Sequence, residues 1–145
     1  MELRPLDASQ YELARSLEEQ DDVWEFVGPL PLPQEGNHLF AIIEGQVTVG
    51  IGGLVRSQAF AGNDFELFCA MRSEAQLQGF AKRACQLMLA WAFDTAKLER
   101  VIACIDDDNE GARSLATKLG MQELCALPPS RTAYVSYRDT RSHVQ

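Results

Sequence analysis

The stretch Phe65-Glu66-Leu67-Phe68-Cys69-Ala70-Met71, followed shortly by Gln76-Leu77-Gln78-Gly79-Phe80-Ala81, decides how this chain is read. In the first part nearly every residue is apolar except Glu66, the pattern of a central strand covered on both faces. In the second, Leu77, Phe80, Ala81, Ala84, Met88, Trp91, Ala92 and Thr95 fall at the i, i+3, i+4, i+7 spacing of a core-facing helix. A glycine-containing turn therefore sits at a helix N-terminus beside a central strand. Unpaired backbone N–H groups converge at such a corner, and the helix dipole adds partial positive charge. Gly79 lets a ligand approach the backbone closely, so the corner can bind phosphate without lysines.

Working outward, Glu2 to Asp7 reads as a short strand that Pro5 ends. Ser9 is an N-cap with Glu12 completing a capping box, and Leu13, Ala14 and Leu17 give the following helix its apolar stripe. Gln20 to Gly36 is acidic and then proline-rich, which predicts a helical turn around Val23–Phe26 and a loop. Apolar runs at 39–44 and 47–55 predict two strands, with Gly45-Gln46 as a tight hairpin turn. On the other side, residues 100–105 predict a buried strand. Asn109 then caps a helix with the stripe Ala112, Leu115, Ala116 and Leu119, stopped by Gly120. Residues 121–127 and 132–137 predict two last strands separated by Pro128-Pro129. The order β-α-(α)-β-β-β-α-β-α-β-β predicts one α/β domain over residues 1–145.

The composition narrows the function. The chain has 145 residues, 46% of them apolar and 23% charged, an ordinary globular balance. Its net charge is −8, spread unevenly: −7 over residues 1–60, −1 over 61–96 and zero over 97–145. A chain with its negative charge in one segment would repel nucleic-acid phosphate, so a nucleic-acid partner is not expected. A cationic ligand suits it better, although the same acids also read as a solvated, solubilising face. No apolar run approaches the ~20 residues of a membrane span, so no membrane partner is expected. The start, Met1-Glu2-Leu3-Arg4-Pro5, lacks the regions of a signal peptide, which points to the cytoplasm. Cys69, Cys85, Cys104 and Cys125 lie far apart and, with only His38 and His143, make no zinc pattern; buried, reduced thiols are expected.

Two other glycine- and acid-rich stretches do not carry chemistry. Val49-Gly50-Ile51-Gly52-Gly53 would have to open a helix to hold a dinucleotide, and Leu54-Val55-Arg56 is no helix start. Its glycines read as strand residues, at a bulge or under something closely packed. Asp106-Asp107-Asp108-Asn109 touches the calcium-loop pattern, but Thr117 stands where a bidentate glutamate is required. These acids read as a strand end and a helix N-terminus favoured by the dipole.

Gln76-x-x-Gly79-x-Ala81 opening a helix after an apolar strand resembles the acetyl-coenzyme A signature of the GNAT N-acetyltransferase superfamily. Asn109 to Met121 is similar to that superfamily's Asn-x-x-Ser/Ala…Lys-Leu-Gly-Phe/Met helix, and Leu3-Arg4-Pro5-Leu6 is similar to its opening. Glu66-Leu67-Phe68-Cys69-Ala70-Met71 resembles the Glu-Ile-Gly-Tyr-Trp-Leu strand of the ribosomal-protein N-terminal acetyltransferase branch. The resemblance spans nearly the whole chain. It implies a mixed, mostly antiparallel sheet of about six to seven strands, splayed into a V, with helices on both faces.

The resemblance also implies a layout. Cys69, Ala70 and Met71 would meet the pantetheine arm through their backbone, and a backbone N–H near Met71 would stabilise the oxyanion. Leu77, Gln78, Gly79, Phe80, Ala81 and Lys82 would cradle the pyrophosphate. Asn109 would contact the pantetheine where the strands part. Three departures stand out: Leu77 replaces a usual glycine, Lys82-Arg83 replaces a small residue and a glutamate, and Ala116 replaces a tyrosine that serves many members as general acid.

Acyl transfer to an amine needs a neutral nucleophile, so a group must take up a proton, ideally a carboxylate in an apolar setting. Glu66 is the lone charge of its strand and is the candidate base, directly or through a water. This follows the ribosomal branch only, since the histone-acetylating branch has its base where this chain has Phe65. The plainer reading makes Glu66 a structural carboxylate at a partly wet edge. A thiolate is a fair leaving group, so an acid is helpful but not obligatory; Tyr134 and Tyr137 are unassigned candidates. The expected activity is acetyl transfer from acetyl-CoA, without a metal, to a primary amine: a peptide N-terminus, a polyamine or a small cationic amine. The acidic segment 7–36 would lie on the acceptor side. A non-catalytic acetyl-CoA-binding module is the alternative. Dimers are common among such proteins, so a homodimer is compatible with this reading.

Overall fold

Among the described residues seven strands form one sheet in the order β1-β2-β3-β4-β5-β7-β6. They are β1 (Glu2–Pro5), β2 (His38–Glu44), β3 (Val47–Arg56), β4 (Phe65–Met71), β5 (Arg100–Asp106), β6 (Gln122–Leu127) and β7 (Arg131–Tyr137). Among the described residues α1 (Phe80–Ala90) and α2 (Glu110–Lys118) are the helices that connect strands of the sheet. This computed structural model describes residues 1–6, 16–17, 36–76 and 78–138. Most of the helix expected after Ser9, the turn at Val23–Phe26, Leu77 and the acids of 7–35 lie outside the described residues; Ser16 and Leu17 are helical.

Every strand pairing is antiparallel except β4 with β5. Those two share one registered pair, Glu66 with Ile102, and part beyond it. This is the expected V. The hairpin of β2 and β3 turns at Gly45, whose φ of 64° is open to glycine without steric cost.

Register assigns the faces. Phe40 pairs with Gly52, and Gly52 with Cys69; these sit beneath α1, where Ala84, Cys85 and Met88 complete the core. Ile51 pairs with Ala70 on the opposite face, where the fully buried Leu17 covers them. Helical residues therefore pack on both faces. A Cβ on Gly52 would lie 2.8 Å from Met88 Cε and 2.9 Å from the Phe68 carbonyl, so this glycine lets α1 approach the sheet. The glycines of β3 serve close packing within the fold. Met88 is fully buried there, and such a side chain contributes on the order of 1.5–3 kcal/mol.

The helix stripe departs from expectation at its end. The buried residues run Ala84, Cys85, Met88, Leu89, Ala92, Phe93, while Thr95 is exposed. After Ala90 the helix widens to a π-turn over Trp91–Thr95, in which Ala96 N donates to the Trp91 carbonyl at 3.0 Å. The extra residue in the turn rotates Thr95 off the core face. Asn109 caps α2 as expected, its Oδ1 accepting from Ala112 N at 3.2 Å, and Gly120 follows with φ 82°. The expectation of four buried thiols is corrected: Cys85 is buried, Cys69 and Cys104 are half-buried, and Cys125 is exposed. Cys125 belongs to β6, an edge strand that shows most of its residues to solvent.

Candidate active site

The parting of β4 from β5 opens a cleft of about 350 Å³. Glu66, Phe68 and Cys69 line it from β4, Cys104 from β5, and Asn109 and Ala116 from α2. Its walls are mainly apolar; Asp106, which pairs with Arg131 at 3.5 Å, is a second carboxylate in the lining, while Glu66 lies at the closed end, where the strands still pair.

The Glu66 carboxylate has specific partners. Ser57 Oγ donates to Glu66 Oε2 at 2.7 Å. Cys104 stands across the cleft, and its thiol is pushed up to about 12, first by burial and then by the neighbouring Glu66 charge. A thiol so raised stays protonated and acts as a donor rather than a nucleophile. Cys69 is raised as well, first by its hydrogen bond with Cys85 and then by burial, so neither Cys69 nor Cys104 presents a thiolate at neutral pH. Arg131 also lines the cleft, held by its Nη2 donation to the Cys104 carbonyl at 2.8 Å.

The start of α1 forms a second feature. Gly79 is its N-cap with φ 76°, a left-handed conformation that strains other residues, and no side chain caps the helix. The first helical bond runs from Arg83 N to the Gly79 carbonyl at 3.3 Å, so the amides of Phe80, Ala81 and Lys82 precede the ladder. The first turn contains no acidic residue. Two glutamines brace the approach: Gln76 Nε2 donates to the Met71 carbonyl at 3.3 Å, and Gln78 Nε2 donates to the Glu74 carbonyl at 2.8 Å. Gln76 thereby ties the turn to the end of β4. Arg83 is drawn aside to Glu44 at 3.1 Å, whereas Lys82 is exposed.

The structure thus brings Glu66, Cys69 and Asn109 into one cleft. Ala70 and Met71 are buried further along β4, Gln78 to Lys82 form the helix start, and Leu77 lies outside the described residues. Neither tyrosine lines the cleft. Tyr134 is buried under α2, where its hydroxyl accepts from Arg113 Nε at 3.4 Å, and Tyr137 pairs with Arg100 at the far end of the sheet. Ser57, Cys104 and Arg131 were not anticipated. Cys104 falls in an apolar strand and Ser57 in a turn, and neither position bears a pattern that ties it to Glu66.

A seven-stranded mixed sheet that splits between β4 and β5, with an uncapped helix following β4, defines an acyltransferase-type fold. The family model described as "Acetyltransferase (GNAT) domain" matches residues 7–122, and the chain belongs to that family. Among curated proteins none matches the sequence. An acetyltransferase from Agrobacterium tumefaciens shares 21% identity at a TM-score of 0.77, covering 93% of this chain and 89% of its own. Spermidine N-acetyltransferase from Vibrio cholerae, solved with CoA and spermine, shares 14% identity at a TM-score of 0.81, covering 95% of both chains. Ribosomal-protein-S5-alanine acetyltransferase from Vibrio fischeri shares 13% at 0.75, covering 94% of this chain and 92% of its own. At these identities the likeness is one of fold. Among the described residues no helix is long and apolar enough to cross a membrane.

Proposed function

We propose that this protein transfers an acetyl group from acetyl-CoA to a primary amine by direct attack within a ternary complex, acting in the cytoplasm. The observation that carries this reading is Glu66, set at the closed end of an apolar cleft where β4 and β5 separate. Acetyl-CoA, when bound, supplies the activated acetyl group. The residues present fit it. The amides of Phe80, Ala81 and Lys82 around Gly79 offer donors to a diphosphate, and no carboxylate in that turn opposes it. The edge of β4 from Leu67 to Met71, no longer paired with β5, offers backbone groups to a pantetheine amide. With its Oδ1 engaged in the cap, Asn109 offers its Nδ2 amide from the opposite wall.

Glu66 accepts the proton that the acceptor ammonium must lose, which frees the nitrogen lone pair for attack. A ligand filling the cleft displaces water from its apolar walls, which strengthens each polar contact inside and limits hydrolysis. An N–H at the end of β4 stabilises the carbonyl oxygen as it gains charge. Ala116 supplies no proton to the departing sulfur, and the Cys69 and Cys104 thiols are too basic to do so. The leaving thiolate therefore departs without a dedicated acid among the described residues lining the cleft. The acceptor classes are a peptide N-terminus, a polyamine or a small cationic amine, drawn by the negative charge of residues 1–60.

An acetyl-CoA turnover assay against an amine library, read by released thiol, tests this function. Thiol release with one cationic amine class, and mass addition to that amine, is the expected result. Thermal stabilisation by acetyl-CoA with no acetylation across the library would point instead to a non-catalytic binding module.

A further inference from the structure

Ser57 and the loop that begins with it touch the site without belonging to either motif. Ser57 follows β3, whose Val55 pairs with Glu66, so Ser57 emerges on the carboxylate's side of the sheet. Its Oγ accepts from Ala59 N at 3.1 Å. With that acceptor position filled, the hydroxyl proton points along the 2.7 Å contact to Glu66 Oε2. The serine itself is fastened in place. Ser57 N donates to the Asp64 carbonyl at 2.8 Å, closing the loop of residues 57–64 on itself. Arg100 then grips the Asp64 carboxylate with two bonds, Nε to Oδ1 at 2.8 Å and Nη2 to Oδ2 at 2.9 Å, and lies over the Phe60 ring at 5.6 Å. The loop is thereby anchored to the first residue of β5, the strand whose Ile102 stands opposite Glu66.

We infer that Ser57 is a positioning residue for the Glu66 carboxylate, holding Oε2 so that Oε1 faces the amine. This rests on the proposed role of Glu66 as the base. A glutamate has three side-chain torsions, and in an apolar cleft nothing else on β4 would select one carboxylate orientation. A hydroxyl with a fixed proton direction does so, and the Asp64–Arg100 clamp transmits the rigidity of β5 to it. Cys104, with a protonated thiol facing the same carboxylate, is a second donor from the opposite strand.

The test compares S57A, S57T and E66Q in the full chain. In the protein free of cofactor, with 13C-labelled glutamate side chains, the Glu66 carboxyl resonance is expected to shift in S57A and to stay near its original position in S57T. With acetyl-CoA and spermidine or a free-N-terminus peptide as acceptor probes, S57A is expected to lower kcat by about tenfold to about a hundredfold, the scale of a lost bond to a charged group. The KM for acetyl-CoA should hold, S57T should recover most of the rate, and S57A should cost nothing further in an E66Q background. An unmoved carboxyl resonance in S57A overturns the inference whatever the rates. Normal turnover in S57A beside depressed turnover in E66Q overturns the inference alone, and normal turnover in E66Q overturns the base assignment with it.

Discussion

Glu66 of β4 stands opposite Ile102 of β5 at the only registered pair joining those strands, so the candidate base sits at the point where the sheet begins to open. A carboxylate several residues later on β4 would stand at the open mouth of the cleft. The position gives it both an apolar surround and access to a ligand in the cleft.

Glu66→Gln removes the proposed proton acceptor while keeping the shape of the side chain. Its kcat is expected to fall by about 10²–10⁴-fold, the usual contribution of a positioned base. Binding of acetyl-CoA, measured by titration calorimetry, should stay near that of the wild type. A loss of affinity equal to the loss of rate would instead place Glu66 in cofactor binding.

Lys82→Glu puts an acid into the first turn of α1. The helix dipole favours an acid there by about 0.3–1 kcal/mol, so Tm should hold or rise. A bound diphosphate would be repelled, and affinity for CoA should fall about tenfold, a loss of ~1.4 kcal/mol. The opposite signs in a melting curve and a binding titration separate a phosphate cradle from a merely structural helix start.

Gly52→Ala introduces a Cβ within 2.8–2.9 Å of Met88 Cε, Met88 Sδ and the Phe68 carbonyl. The methionine can move, but the backbone oxygen cannot, so overpacking of about 1–3 kcal/mol is expected. Thermal melts should show a fall of several degrees. Because Gly52 pairs with Cys69 at the cleft wall, weaker CoA binding should accompany it.

Asp64 is held below its ordinary 3.8, first by its bond from Arg100 and also by that cation's charge, against the opposing effect of burial. A depressed carboxylate stabilises the fold above its unfolded-state pKa, and that stability is lost as pH falls through the lower folded value. The stability gap between wild type and D64N, from denaturant melts, should therefore be constant from neutrality down to about pH 5 and narrow below about pH 4. A constant gap to lower pH would show that the loop is held by other contacts.

Much of the architecture could be read from residue patterns because the relevant forces are local. The bounds of β4 follow from an apolar run interrupted by Glu66 alone, the caps of α2 from Asn109 and Gly120, and the turn at Gly45 from one backbone preference. The uncapped start of α1 is likewise a matter of Gly79 and its neighbours. Thr95 was misjudged because a π-turn adds one residue to the repeat, a change dictated by how the helix end packs rather than by its own side chains. Cys125 is exposed against its sequence pattern because apolar neighbours in a strand do not reveal that the strand lies at an edge.

The local code, then, carries the elements, the uncapped glycine turn proposed to hold phosphate and the identity of the lone carboxylate in an apolar strand. It is silent on what surrounds that carboxylate. Ser57 is nine positions away, Cys104 thirty-eight, and their meeting with Glu66 depends on β3–β4 register and on β5 docking in parallel against β4. Tyr134 and Tyr137 show the converse: both were chemically eligible acids, and pairing with β5 turns one under α2 and leaves the other beside Arg100. Periodicity and capping act over a few residues and leave a mark in composition. Contacts across strands are made by residues whose types are unremarkable, and packing of the whole sheet alone brings them within a hydrogen bond of each other.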